Sequence, residues 1–122
     1  MCCRSLKDVK LPDSLTEIGD CAFKCCALKN ITIPEGVQLI GSCAFNHCTS
    51  LEVVQLPDSL CKIDEGAFSY CKSLKSIRIP KNVTEIENRA FDGCESLVEA
   101  HVSKDAEIGT KAFPDTTKVI RY

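Results

Sequence analysis

The sequence predicts an α/β, β-rich solenoid of about five coils, with a parallel β-sheet on one face and extended segments and short helical turns on the other. Three observations carry that expectation. The dipeptide Ala-Phe recurs at Ala22-Phe23, Ala44-Phe45, Ala67-Phe68, Ala90-Phe91 and Ala112-Phe113, with Phe-to-Phe steps of 22, 23, 23 and 22 residues. An isoleucine stands five residues before each Phe (Ile18, Ile40, Ile63, Ile86, Ile108), and Cys26, Cys48, Cys71 and Cys94 stand three residues after it, with Thr116 in the last copy. A Leu-x-x-apolar-x-apolar block then follows, usually closed by proline: Leu6-Val9-Leu11-Pro12, Leu28-Ile31-Ile33-Pro34, Leu51-Val54-Leu56-Pro57 and Leu74-Ile77-Ile79-Pro80. So many positions held in phase identify one structural unit per period.

Within each unit the elements follow from the residues. The Leu-x-x-Ile-x-Ile block ends in apolar–polar alternation, which suits a half-buried strand. The proline after it cannot donate to a sheet ladder and so ends the strand. An extended return segment such as Val83-Thr84-Glu85-Ile86 comes next, and then a turn, expected to be helical, that holds Ala-Phe-x-x-Cys. A single coil cannot bury its own apolar residues. Stacking places each Ile, Phe and Leu beside its equivalents and makes one continuous core, so residues 1–122 are expected to form a single domain.

The second copy, starting Ile40-Gly41-Ser42-Cys43-Ala44-Phe45, resembles the BspA-like leucine-rich-repeat family almost position by position, and the resemblance extends over essentially the whole chain. It implies a leucine-rich-repeat solenoid that binds protein from a cell-surface or secreted, adhesin-like parent. Departures cluster near the ends. The Cys26-to-Leu28 spacing is one residue short, Ser103 stands where proline is expected, and Ala106 replaces the usual valine. The chain also starts at the cysteine of one copy and stops at Tyr122 inside a strand block, with no evident polar cap. It therefore reads as a fragment of a longer array, or as a chain whose ends associate with another copy.

The totals narrow the function classes. A chain of 122 residues accommodates one core, and its 44% hydrophobic content is ordinary for a globular protein. A net charge of −2, from 15 basic and 17 acidic residues, gives no pull toward nucleic acid. No apolar run approaches the roughly 18 residues needed to enter and cross a bilayer. The N-terminus Met1-Cys2-Cys3-Arg4 lacks the apolar stretch of a secretory signal, which leaves a cytoplasmic location open beside the surface one.

Ten cysteines are the one abnormal count. Cys3, Cys26, Cys48, Cys71 and Cys94 share one repeat position, so they are expected to stack as a structural ladder of small buried thiols. Their β-carbons would point the same way, which is poor bridging geometry. Cys21 and Cys43 share a second position, followed there by Gly66, Arg89 and Lys111, so this position tolerates exposure and a bridge between the two stays open. No paired C-x-x-C motif supports a metal site, and no cofactor is expected. Many unpaired thiols fit a reducing compartment.

No catalytic constellation emerges. His47 and His101 fall in different repeat positions two coils apart, and no phosphate-loop, dinucleotide or nucleophile-elbow motif occurs. Asp13, Asp58, Glu17 and Glu85 are scattered by the repeat into solvated turns and segments. The triplets Asn30-Ile31-Thr32 and Asn82-Val83-Thr84 match a glycosylation signal that such chains also contain by chance. An enzyme is therefore not expected.

Binding is expected on the sheet face. One polar row is Lys10, Thr32, Gln55, Arg78 and His101; a second is Asp8, Asn30, Val53, Ser76 and Glu99, with Lys7, Lys29, Glu52, Lys75 and Val98 at its edge. Both rows mix charges and lack Trp and Tyr, the usual anchors of an interface. The leading reading is an unidentified protein partner. The alternatives are an intracellular scaffold and a structural spacer that binds nothing.

Overall fold

A computed structural model describes residues 6–122 as a parallel-strand β-solenoid of about five turns. We number the coils 1 to 5 by their phenylalanines: Phe23, Phe45, Phe68, Phe91 and Phe113. Ten short strands alternate between two sides: β1 (Glu17–Ile18), β2 (Asn30–Thr32), β3 (Leu39–Ile40), β4 (Val53–Gln55), β5 (Lys62–Ile63), β6 (Ser76–Arg78), β7 (Glu85–Ile86), β8 (Glu99–Val102), β9 (Glu107–Ile108) and β10 (Lys118–Arg121).

The Leu-x-x-Ile-x-Ile blocks give the even-numbered strands, all parallel and in repeat register. Asn30 lies opposite Val53, Ser76 opposite Glu99, and Glu99 opposite Lys118. Their ladder forms one sheet of order β10-β8-β6 and a second of β2-β4, and β4 lies beside β6 without pairing to it. The return segments are more than extended connections. Their two-residue strands form a continuous five-stranded parallel sheet of order β1-β3-β5-β7-β9.

The Ala-Phe-x-x-Cys turns correct the expectation of short helices: among the described residues there is no helix. Each segment is a run of overlapping four-residue turns, as in Ala44 N–H to Gly41 O, Asn46 N–H to Cys43 O and Cys48 N–H to Phe45 O. The intervening amides donate to the next coil instead: Cys43 to Glu65 O at 3.0 Å, Phe45 to Ala67 O at 2.7 Å and His47 to Ser69 O at 2.8 Å. An α-helix would send these amides to the carbonyls four residues back. The backbone also turns left-handed twice in each of the first four segments, at Cys21 and Cys25, Cys43 and His47, Gly66 and Tyr70, and Arg89 and Gly93, and once in the fifth, at Lys111. A left-handed residue at the third position of a turn closes it and breaks helical propagation. Each such non-glycine residue costs roughly 1–2 kcal/mol, a cost offset here by the hydrogen bonds between coils.

The core follows the repeat. Ile40, Ile63, Leu28, Leu51, Leu74, Phe45, Phe68 and Phe91 have no exposed surface. The five Phe rings form a continuous stack, with centroids 5.4, 5.1, 5.1 and 5.0 Å apart and planes within 12° of parallel. Leu6, Phe23, Ile108 and Phe113, on the outermost of the described coils, are only partly buried.

The departures from the repeat are absorbed locally. Proline carbonyls close the turn after β2, β4 and β6, as in Val37 N–H to Pro34 O and Val83 N–H to Pro80 O. Ser103 does the same for Ala106 at 3.1 Å, and its hydroxyl also accepts the Asp105 amide at 3.3 Å. At the end of β10, Arg121 donates to the carbonyls of Ser103 and Ala106 at 2.8 and 2.9 Å, tying the last strand to the coil before it.

Candidate binding surface

On the sheet face the polar rows take their register from the strands. The middle residue of each three-residue strand, Ile31, Val54 or Ile77, points inward, so its two neighbours point out. Lys10, Thr32, Gln55 and Arg78 are exposed in one row, and Asp8, Asn30, Val53 and Ser76 in the other. His101 and Glu99 are half-buried, because β10 covers β8 and the two side chains contact each other, Nε2 to Oε1, at 2.6 Å. Thr32 donates to Gln55 Oε1 at 3.3 Å, linking adjacent rungs of the first row. Val53 and Val98 are the exposed aliphatic residues of this face.

Tyr122 belongs to the same surface, although it lies outside the repeat rows. Its hydroxyl donates to Ile79 O, and the Arg78 guanidinium sits 4.9 Å above its ring centroid. The C-terminal residue thus reaches back two coils onto the sheet. A groove of about 470 Å³ is lined there by Gln55, Leu56, Asp58, Arg78, Lys81 and Tyr122, next to the unpaired junction of β4 and β6. A cation resting on an aromatic face is held in a defined orientation. The polar rows themselves hold no tyrosine, and Tyr122 adds one beside them. The useful signal in the sequence was an aromatic residue directly following the alternating strand Lys118-Val119-Ile120-Arg121.

The cysteines divide into two environments. Cys26, Cys48, Cys71 and Cys94 are buried in equivalent positions, while Cys3 lies outside the described residues. Cys48, Cys71 and Cys94 each donate their thiol to the carbonyl of a phenylalanine one coil back: Phe23 at 3.1 Å, Phe45 at 3.2 Å and Phe68 at 3.0 Å. Burial pushes the Cys48 thiol up from 9.0 to about 12. A hydrogen bond with Cys94, followed by burial, holds Cys71 well above its ordinary value as well. Cys21 and Cys61 are exposed, and Cys43 is half-buried.

These shifts have a stability consequence with a definite sign. A thiol whose pKa is raised by folding keeps its proton in the folded state after the unfolded chain has lost it. Unfolding then releases protons, and stability falls with rising pH. Below the ordinary thiol value of 9.0 the contribution is fully present; between 9.0 and about 12 Cys48 loses it, by about 1.4 kcal/mol per pH unit. We expect the urea midpoint to drop between about pH 8 and about pH 10.5, with a shallower drop in Cys48→Ala. Equal slopes in the two proteins would exclude Cys48 as the source.

The two histidines are not brought together. His101 lies on β8, whereas His47 lies in the turns, stacked on Tyr70 at 4.7 Å and hydrogen-bonded through Nδ1 to Asn46 Oδ1 at 2.7 Å. Asn46 is buried and donates in turn to Ser69 Oγ, so this network satisfies polar atoms within the turns. Among the described residues, no group of three or more His, Cys, Asp or Glu is placed to hold a metal ion. Among them, too, no helix is long and apolar enough to cross a membrane.

Solved structures share this architecture. The chain is 39% identical to a leucine-rich repeat protein from Bacteroides ovatus (TM-score 0.86), over 98% of this chain and 34% of that one. It is 33% identical to a leucine rich cell surface protein from Faecalibacterium prausnitzii (TM-score 0.88), over 95% of this chain and 32% of that one. It thus spans about a third of the length of each. The pneumococcal vaccine antigen PcpA, at 22% identity and a TM-score of 0.64 over 90% of this chain and 35% of that one, shares the fold alone. No curated protein matches the chain. The model of the BspA type leucine rich repeat region matches six copies over residues 1–120, and the chain belongs to that family.

Proposed function

We propose that this chain is a protein-binding module of a surface or secreted, adhesin-like protein, and that it binds through the even-numbered strands. The observation that carries the reading is the grouping of Arg78, Tyr122 and Gln55 around one groove, flanked by exposed rows of mixed charge. Arginine and tyrosine are the residue types that most often anchor interfaces, and here both are pre-oriented by their mutual contact. The stacked coils make a rigid surface of the kind repeat proteins use for partners. The likeness to the Faecalibacterium cell surface protein supports the compartment. The reading is of binding rather than catalysis: among the described residues His47 and His101 lie apart, one in the turns and one on β8.

A second reading, an intracellular scaffold, draws on one observation. The thiol protons of Cys48, Cys71 and Cys94 are used in hydrogen bonds, which favours the reduced form found in reducing compartments.

Binding of the chain to immobilised extracellular-matrix proteins, measured by interferometry, tests the proposal. We expect saturable binding that Arg78→Glu weakens by about tenfold or more, while Lys62→Glu on the opposite sheet leaves it unchanged. Absence of saturable binding, or loss with Lys62→Glu alone, would refute it.

A further inference from the structure

Cys21 and Cys43 occupy the same position in coils 1 and 2, each with φ of +57° at the outer edge of a turn. Their side chains lie near enough that Cys21 raises the Cys43 thiol. Cys21 is exposed and Cys43 is half-buried, so a small reagent reaches the pair from solvent. The backbones are held together by the Cys21 amide donating to Ser42 O at 2.9 Å. Stacked parallel strands lie about 4.8 Å apart, within the Cα range of about 4.4–6.8 Å that disulfides span. In coil 3 this position is Gly66. A β-carbon there would lie 3.3 Å from Cys43 Sγ, so the missing side chain leaves that sulfur room to swing about its Cα–Cβ bond.

We propose that Cys21 and Cys43 form a redox-active dithiol on the turn face, which small-molecule disulfides oxidise to a reversible clamp between coils 1 and 2. The Cys21 thiolate attacks one sulfur of a disulfide RSSR, giving a mixed disulfide and expelling RS−. The Cys43 thiolate then displaces the second RS−. One Cys21–Cys43 bond forms, the R–S–S–R bond is broken, and the two protons lost by the protein thiols end on two RSH. Exposure and conformation order the steps. Cys21 is the accessible attacking thiol, whereas Cys43 is half-buried, and burial and the neighbouring Cys21 raise its thiol above its ordinary value. Parallel β-carbons about one strand spacing apart are further separated than in an unstrained bridge, and strained exposed bridges are readily reduced again. The buried thiols of Cys48, Cys71 and Cys94 take no part, because no reagent reaches them in the folded chain.

Oxidised glutathione added to the reduced full chain tests this, with alkylation of the remaining thiols and mass-spectrometric mapping of the digest. We expect a Cys21–Cys43 linked peptide, loss of two thiols per chain and no dimer, all reversed by excess reduced glutathione. In Cys43→Ser we expect the reaction to stop at a Cys21–glutathione mixed disulfide. Glutathione retained on Cys21 of the unaltered chain, a bridge to Cys2, Cys25 or Cys61, or a bridge between chains would each overturn the proposal. The mapping of the unaltered chain does not depend on the variant folding.

Discussion

Replacing Phe68 with alanine is expected to cost about 3–5 kcal/mol, the range for truncating a fully buried aromatic ring. Phe68 has no exposed surface and stacks on Phe45 and Phe91 at 5.1 Å on either side, so the cavity opens in the middle of the ring column. Polar backbone ladders surround that column on both sides, and the coils cannot close the gap without breaking hydrogen bonds such as Phe45 N–H to Ala67 O and Phe68 N–H to Ala90 O. A loss of this size should lower Tm by more than about 10 °C. Phe113 provides the internal comparison. It is only partly buried and has a single ring neighbour, Phe91 at 5.0 Å, so Phe113→Ala should cost about half as much. Urea unfolding of both variants checks the ratio. Equal costs would show that the stack does not act through neighbours on both sides.

The second large effect is expected at Gly41, where two coils approach closely. A β-carbon on Gly41 would lie 2.6 Å from Asp20 Oδ1, 2.8 Å from the Asp20 amide nitrogen and 2.8 Å from Ile18 O. Two of those atoms are backbone, and the third is committed to the Ser42 amide at 2.9 Å, so none yields easily. Gly41→Ala should therefore destabilise by about 2–3 kcal/mol, toward the upper end of overpacking costs. Gly19 holds the equivalent position in coil 1, where nothing lies within 4 Å of the same β-carbon. Gly19→Ala should be neutral or stabilise by up to about 1 kcal/mol, by restricting the unfolded chain. A matching loss in both would mean that the glycines serve backbone freedom and not the close approach of coils.

Much of this fold was legible because its core is periodic. Residues that must touch their own equivalents recur at the coil length, so Ile40, Phe45, Cys48 and Leu51 disclosed the inward positions before any geometry was known. The outward rows were legible for the same reason: Thr32, Gln55 and Arg78 alternate with residues that must be buried. The turn conformation was not. Left-handed backbone advertises itself through glycine, yet only Gly66 and Gly93 stand at those positions, and Cys21, Cys25, Cys43, His47, Tyr70, Arg89 and Lys111 fill the rest. Comparing the two glycine-bearing columns across coils would have revealed the turns and excluded the helix. The sheet formed by the return segments was hidden because its strands are two residues long, too short for an alternation pattern. Tyr122 was hidden because its role depends on a contact across two coils, from β10 to Ile79, that no repeat position encodes.

The central claim is that repeat phase alone decides which side chains the stacked coils enclose, and the cysteines sample that phase in a single experiment. Pulsed alkylation of the reduced, folded chain, read residue by residue in the digest, measures it directly. The account predicts rapid labelling of Cys21 and Cys61, and protection of Cys48, Cys71 and Cys94 until denaturant is added. Labelling of Cys71 in the folded chain as fast as Cys61 would contradict it, because a thiol in that position cannot be both reactive and enclosed by the stack.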